Sequence, residues 1–179
     1  SEQGELAEKH KQPTARNSRA EFMAAMTALI HRYQGQIAGV GLALPGVVNQ
    51  QQGIVKTCAA LPFLETIPLA ARLKDAAHLN MPVVIGNDGN AAALAEHWQG
   101  KLVGTINSAM IVLGTGVGAA LFLNGTLYTG SHDVSGEPSF MITNGLNPIT
   151  RAQTAAGLSA VKTVNAMAAA QHIRGHNLG

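Results

Sequence analysis

Apolar residues recur along the chain in two rhythms, and the change from one to the other marks out its elements. After Ser18, the residues Phe22, Met23, Met26, Leu29, Ile30 and Tyr33 fall at helical spacing, which predicts an amphipathic helix to about Tyr33. Ser18-x-x-Glu21 ahead of it is a capping box, in which each side chain bonds an orphan backbone donor. Ile37 to Leu44 is a short, Gly-lightened apolar run stopped by Pro45-Gly46, as a buried strand would be. Gly53 to Thr57 predicts a second short strand. Pro68 sits where a first-turn proline belongs, and the helix after it is expected to run to about Leu79. Met81 to Gly86 predicts another buried strand. Asn87-Asp88-Gly89-Asn90 then leads into a helix that Gly100 closes. Two further apolar strands, SAMIVLG and VGAALFL, flank the turn Gly114-Thr115-Gly116, and Asn124-Gly125 supplies a hairpin turn into TLYTG. Residues 131–147 read as loop and 152–173 as mostly helical. Strands alternating with helices, plus one hairpin, predict an α/β fold with a mixed sheet.

Composition narrows the function classes. The 179 residues suit one large domain or two small ones. Apolar residues are 46% and charged ones 12%, the reverse of a disordered or nucleic-acid-coating chain, and aromatics at 4% leave an aliphatic, Ala-rich core. Twelve Lys and Arg against ten Asp and Glu give +2, so no nucleic-acid partner is expected. The one cysteine, Cys58, excludes an internal disulfide and any zinc site of several thiolates, and reads as a small buried apolar side chain. No apolar stretch approaches the ~20 residues of a membrane span, and the polar, acidic first residues do not resemble a signal peptide. A cytoplasmic protein without a membrane partner is expected.

Three places can carry chemistry. In VVIGNDGNAAALAE a strand ends, two polar side chains follow, and a helix starts, which is the crevice where open α/β sheets bind ligands. Asp88 there can take a proton from a substrate hydroxyl while Asn87 holds a neighbouring hydroxyl. Asn and Asp are equally the preferred helix caps, and both readings hold at once if Asn90 caps the helix and frees Asp88. In LGTGVGAAL the Gly-x-Gly-x-Gly spacing departs from the dinucleotide fingerprint, and a strand follows it instead of a helix. A Gly-rich turn between strands still presents N–H groups able to cradle phosphate, or is simply a hairpin turn. Glu137, in the Gly- and Pro-punctuated loop SGEPSF, is a surface carboxylate by default. His172 and His176 have i, i+4 spacing, but Gly175 interrupts it and no H-E-x-x-H occurs, which argues against a metal site.

Taken in order, GVGLALPGVVN, GNDGNAAALAE, VLGTGVGAALFLNGTLYTG and SGEPSF resemble the ROK family of sugar kinases and sugar-responsive repressors, from about Ile37 to Phe140. The resemblance implies an actin-like, hexokinase-like (ribonuclease H-like) fold of mixed sheets with flanking helices, here incomplete. Residues 1–100 would be most of a sugar-binding lobe whose first strands are missing, and 101–179 the start of a nucleotide-binding lobe. It implies phosphorylation of a hexose or hexoside hydroxyl, on C6, with ATP as donor and Mg2+ carried on it, by a homodimer. Asp88 falls on the family's catalytic base, Asn87 and Glu137 on sugar-hydroxyl ligands, and Gly46 on the loop that backs the sugar. Gly114, Thr115, Gly116 and Gly118 fall on the second phosphate-binding turn.

The departures are equally informative. Family kinases show G-E-I-G-H where this chain has Gly136-Glu137-Pro138-Ser139-Phe140, so Phe140 replaces a histidine. The family's cysteine-bearing zinc loop is absent, so no zinc is expected. A phenyl ring at Phe140 offers no hydroxyl contact but packs on a substituted sugar, which favours a glycoside or N-acylated hexose over free glucose. The first phosphate motif, D-x-G-G-T, and the Gly-rich adenine stretch are also absent, so the chain reads as an inactive internal piece of a longer kinase. The alternative is the sugar-sensing domain of a ROK-type repressor.

Overall fold

The computed structural model describes residues 4–113, 116–136 and 138–141. Helix α1 (Arg19–Tyr33) starts where its spacing places it: Ser18 is extended, and its hydroxyl accepts the Glu21 N–H at 3.1 Å. The Glu21 carboxylate accepts from Asn17 Nδ2 at 2.9 Å, so the other arm of the capping box engages a neighbouring side chain. Strand β1 (Val40–Leu44) begins three residues later than the apolar run that announces it. β2 (Val47–Asn49) was not foreseen, being too short to show an alternation; it pairs antiparallel with β3 (Ile54–Thr57) across a register shift at Val47/Val48. Helix α2 (Leu69–Ala76) takes Pro68 as its N-cap and stops short of Leu79, because His78 turns left-handed at φ 51°. Strand β4 (Val83–Asn87) pairs with β1 in parallel, Val40 opposite Val83 and Leu44 opposite Asn87. Helix α3 (Asp88–Gln99) follows with no loop between.

One cap is corrected. Asn87 Oδ1 accepts the Asn90 N–H at 2.9 Å, so Asn87 caps α3. Asn90 lies inside the first turn, where its own N–H is one of the orphans that need a partner.

The chain divides into two compact units, Ser1–Ala91 and Ala92–Gly179. In the first, α1 and α2 meet over the parallel strands, and one core joins Phe22, Ile30, Leu44, Val55, Leu64, Leu69, Leu73 and Ile85. Cys58 is fully buried in that core, as its small apolar character predicts. Among the described residues β1 pairs only with β4, and an apolar cavity of about 230 Å³ is walled in part by Phe22 and Met26 of α1 and by Leu42 and Leu44 of β1.

In the second unit β5 (Ser108–Leu113), β6 (Val117–Leu123) and β7 (Thr126–Tyr128) form an antiparallel sheet, with Ile111 opposite Ala119 and Leu121 opposite Tyr128. Asn124 and Gly125 both have positive φ, 53° and 73°, as the tight turn between β6 and β7 requires. One face of the sheet buries Ala120 and Phe122 with Ala93, backed by Leu102, Met110 and Leu127. The His97 ring stacks on Phe122 at 4.3 Å, and its Nε2 lies 3.2 Å from the Thr105 carbonyl. No helix among the described residues is long and apolar enough to cross a membrane. Gly114, Thr115, Glu137, the Phe140 side chain and the helix expected over 152–173 lie outside the described residues.

Candidate active site

Three of the residues singled out by sequence meet in the first unit. β1 and β4 run in parallel, so their carboxyl ends lie side by side, and each strand hands over to a polar or turning segment there. After β1 the chain turns through Pro45-Gly46. Gly46 has φ 98°, and a Cβ on it would collide with the Thr57 carbonyl, so both its conformation and its packing demand glycine. After β4 comes Asn87, whose Nδ2 donates to the Gly46 carbonyl at 3.0 Å. Its Oδ1 is the cap of α3. One amide thus ties the β1 turn to the start of α3, and each of its polar atoms keeps capacity for one more hydrogen bond.

Asp88 is the next residue, the first of α3. It is exposed, and its Oδ1 accepts the Gly89 N–H at 2.9 Å. That bond fixes the carboxylate at the helix start, where the helix dipole favours a negative charge, and its Oδ2 carries no hydrogen bond among the described residues. A carboxylate held beside a rigid amide is able to accept a hydroxyl proton while the amide aligns a second hydroxyl.

The second unit brings together the flanks of the other two motifs. Gly116 and Gly118 sit at the start of β6, the side of the β5–β6 turn that the structure describes. The short helical turn Pro138–Phe140 is tied there by Ser139, whose hydroxyl donates to the Val117 carbonyl. Gly136, at φ 78°, has its Cα close over β6: a Cβ there would lie 3.3 Å from the Ala119 carbonyl. Gly136 and Ser139 thus both lie against the strand that follows the Gly-rich turn. Sequence reasoning passed over Glu65, whose Oε1 accepts the Cys58 N–H at 2.8 Å, on the connection that supports Gly46. Its signal was available as the lone charge in LPFLETIPL.

Away from this site, Glu8, His10 and Tyr33 form an exposed cluster. The Tyr33 hydroxyl donates to Glu8 Oε2 at 3.0 Å, and His10 Nε2 lies 2.5 Å from Glu8 Oε1. The His10 and Tyr33 bonds, in that order, hold the Glu8 carboxyl below its ordinary value. Desolvation first, and then the bond to Glu8, raise the Tyr33 phenol.

Comparison with known proteins gives the family and the fold. The sequence model of the ROK family matches residues 1–154. The chain is similar to a glucokinase of Halalkalibacterium halodurans, 33% identical over 60% of this chain and 32% of that one. It is also similar to a beta-glucoside kinase of Klebsiella pneumoniae, 29% identical over 59% of this chain and 35% of that one. The chain thus spans about a third of the length of these curated relatives. Among solved structures it resembles a ROK family glucokinase from Streptomyces griseus in complex with glucose and AMPPNP, with a TM-score of 0.77 at 21% identity, over 96% of this chain and 57% of that one. That likeness shows the fold, the actin-like and hexokinase-like arrangement expected from the sequence.

Proposed function

The chain belongs to the ROK family, and on that premise we propose that it is part of an ATP-dependent kinase acting on a sugar hydroxyl. The observation that carries this reading is the exposed Asp88 carboxylate, fixed at the carboxyl end of β4 beside the Asn87–Gly46 bond. Asp88 is the general base: it takes the proton of the acceptor hydroxyl as that oxygen forms its bond to the γ-phosphorus and the bond to the ADP oxygen breaks. Phosphoryl transfer asks little else of the protein than positioning and charge neutralisation. Asn87 aligns a neighbouring hydroxyl with its spare donor and acceptor, Glu137 holds another, and Gly46 leaves room for the sugar to lie against the backbone. Gly114, Thr115, Gly116 and Gly118 receive the phosphates of ATP, which arrives with Mg2+ as part of the substrate.

The acceptor is read as a hexose or hexoside phosphorylated on C6, with a substituted sugar preferred because Phe140 stands where a histidine would contact a hydroxyl. The names of the relatives, a glucokinase and a beta-glucoside kinase, support both kinds of acceptor. In this reading residues 1–100 serve the sugar and 101–179 the nucleotide, in a cytoplasmic homodimer without zinc.

The test is an ADP-release assay of the natural full-length protein on glucose, methyl β-glucoside and N-acetylglucosamine. Turnover is expected, with kcat/KM higher for a substituted sugar than for glucose. Asp88→Asn keeps shape and loses the proton acceptor, and should lower kcat by about 10²–10⁴-fold with sugar affinity little changed. An Asp88→Asn protein within a few-fold of the parent would reduce Asp88 to a helix-start residue. A parent that binds sugar without turnover would point to the sensing domain of a repressor.

A further inference from the structure

The Pro45-Gly46 turn rests on one peptide group. A Cβ on Gly46 would meet the Thr57 carbonyl and come within 3.1 Å of the Cys58 Cα, so the turn lies directly against the Thr57–Cys58 peptide. A trans peptide is planar, and its C=O and N–H point to opposite sides; there are no cis bonds among the described residues. The N–H of this same peptide, that of Cys58, is the one held by Glu65 Oε1 at 2.8 Å. Glu65 therefore holds, from one side, the plane whose other side lies against Gly46, at the point where Thr57 leaves the β2–β3 ladder.

A second observation points to the same place. Thr66, the residue after Glu65, has φ 63°, a conformation that β-branched residues rarely adopt. The strain is held by the bonds around it: the Thr66 N–H donates to the Val55 carbonyl at 2.7 Å, and the Glu65 N–H to the Pro62 carbonyl at 3.2 Å. Strained residues persist where the surroundings over-determine them, often next to functional groups. Here the left-handed step turns the chain back onto β3 directly after the Glu65 carboxylate.

We propose that Glu65 is a positioning residue for the acceptor sugar. It fixes the Thr57–Cys58 peptide, which fixes the Gly46 turn, whose carbonyl in turn orients Asn87 at 3.0 Å. The inference rests on the reading of Gly46 and Asn87 as sugar-side residues. Glu65 touches neither sugar nor nucleotide, so its loss should weaken sugar binding and leave the ATP side alone.

Two variants of the natural full-length protein separate this from a structural role. Glu65→Met keeps the length of the side chain and removes the acceptor; Glu65→Gln keeps an acceptor oxygen without the charge. Each is measured well below its own Tm, by calorimetric titration with glucose, methyl β-glucoside and N-acetylglucosamine, and by steady-state kinetics in sugar and in ATP. Glu65→Met should raise the sugar Kd and KM about tenfold, with the KM for ATP within about twofold of the parent. Glu65→Gln should stay within about threefold. If Glu65→Met does not fold, Glu65→Asp, which withdraws the carboxylate by one methylene, replaces it with the same expectation. Sugar Kd unchanged in the variant, or sugar and ATP constants rising together, overturns the proposal. Because binding is read directly, an unexpectedly active Asp88→Asn protein would count against Asp88 alone and not against Glu65. A parent that binds none of the three sugars overturns the reading of the site and this inference with it.

Discussion

Asn87 uses the two ends of its amide for two different structural jobs. Oδ1 caps α3, and Nδ2 reaches the carbonyl of Gly46, forty-one residues earlier. The amide supplies its acceptor and its donor on two separate atoms, and Asn87→Asp separates the two roles. The carboxylate still caps, and suits the helix dipole at least as well, but it leaves the Gly46 carbonyl without its donor and faces it with an acceptor. A loss of about 1–3 kcal/mol in urea unfolding is expected, whereas a cap-only role for Asn87 would leave stability unchanged or slightly raised. This cross-link was not legible in the sequence. The local pattern Asn-Asp-Gly-Asn shows that a cap is needed, but not which asparagine supplies it, and it is silent on a bond to a glycine in another segment. The polar residues worth watching were visible; their partners were not.

At the scale of elements, the sequence is most legible where an element is long and ends in a chemical signal. α1 has Ser18, and the β6–β7 hairpin has Asn124-Gly125. It is least legible where an end depends on the rest of the fold: β2 exists because β3 lies beside it, and α2 stops where His78 turns left-handed. The exposed tie between residues 5–11 and α1 belongs to this second kind. Glu8 is lowered from 4.5, so over the acid range the folded chain binds fewer protons there than the unfolded chain. Its contribution is present above pH 4.5 and is lost as pH falls through the lowered value. Tyr33 is raised from 10.0, so its contribution is present below pH 10.0 and is lost as pH rises through the raised value. Both groups are exposed, which keeps the effect small and sensitive to salt. Limited proteolysis of residues 5–11 should accelerate at both extremes. Tyr33→Phe should remove the alkaline acceleration and begin the acid one from a faster baseline. A Tyr33→Phe profile that overlays the parent would show that the tie carries no stability.

For the whole molecule, the alternation of strands and helices was enough to give the α/β class, because each segment's apolar pattern agrees with the element it forms. The first unit draws its core from every one of its elements, and Leu64, on the connection between β3 and α2, is fully buried there. Leu64→Ala should cost about 2–5 kcal/mol, read as a fall in the urea midpoint. A cost below that range would mean that the connection relaxes into the space. The same connection carries Cys58 and Glu65, so the support of the Gly46 turn is anchored in the deepest part of the core.

The unpaired side of β1 has a consequence for how these residues behave in company. Among the described residues β1 and β4 pair only with each other, so the outer edge of each holds main-chain groups outside any ladder, and an apolar cavity lies against Leu42 and Leu44 of β1. An extended segment that pairs with such an edge gains main-chain hydrogen bonds with little demand on its sequence. The feature that lets the sheet grow toward a proper neighbour therefore also makes it a template for improper ones. Crowding and slow synthesis, which lengthen the time that an edge stands open, would act on this pair of strands.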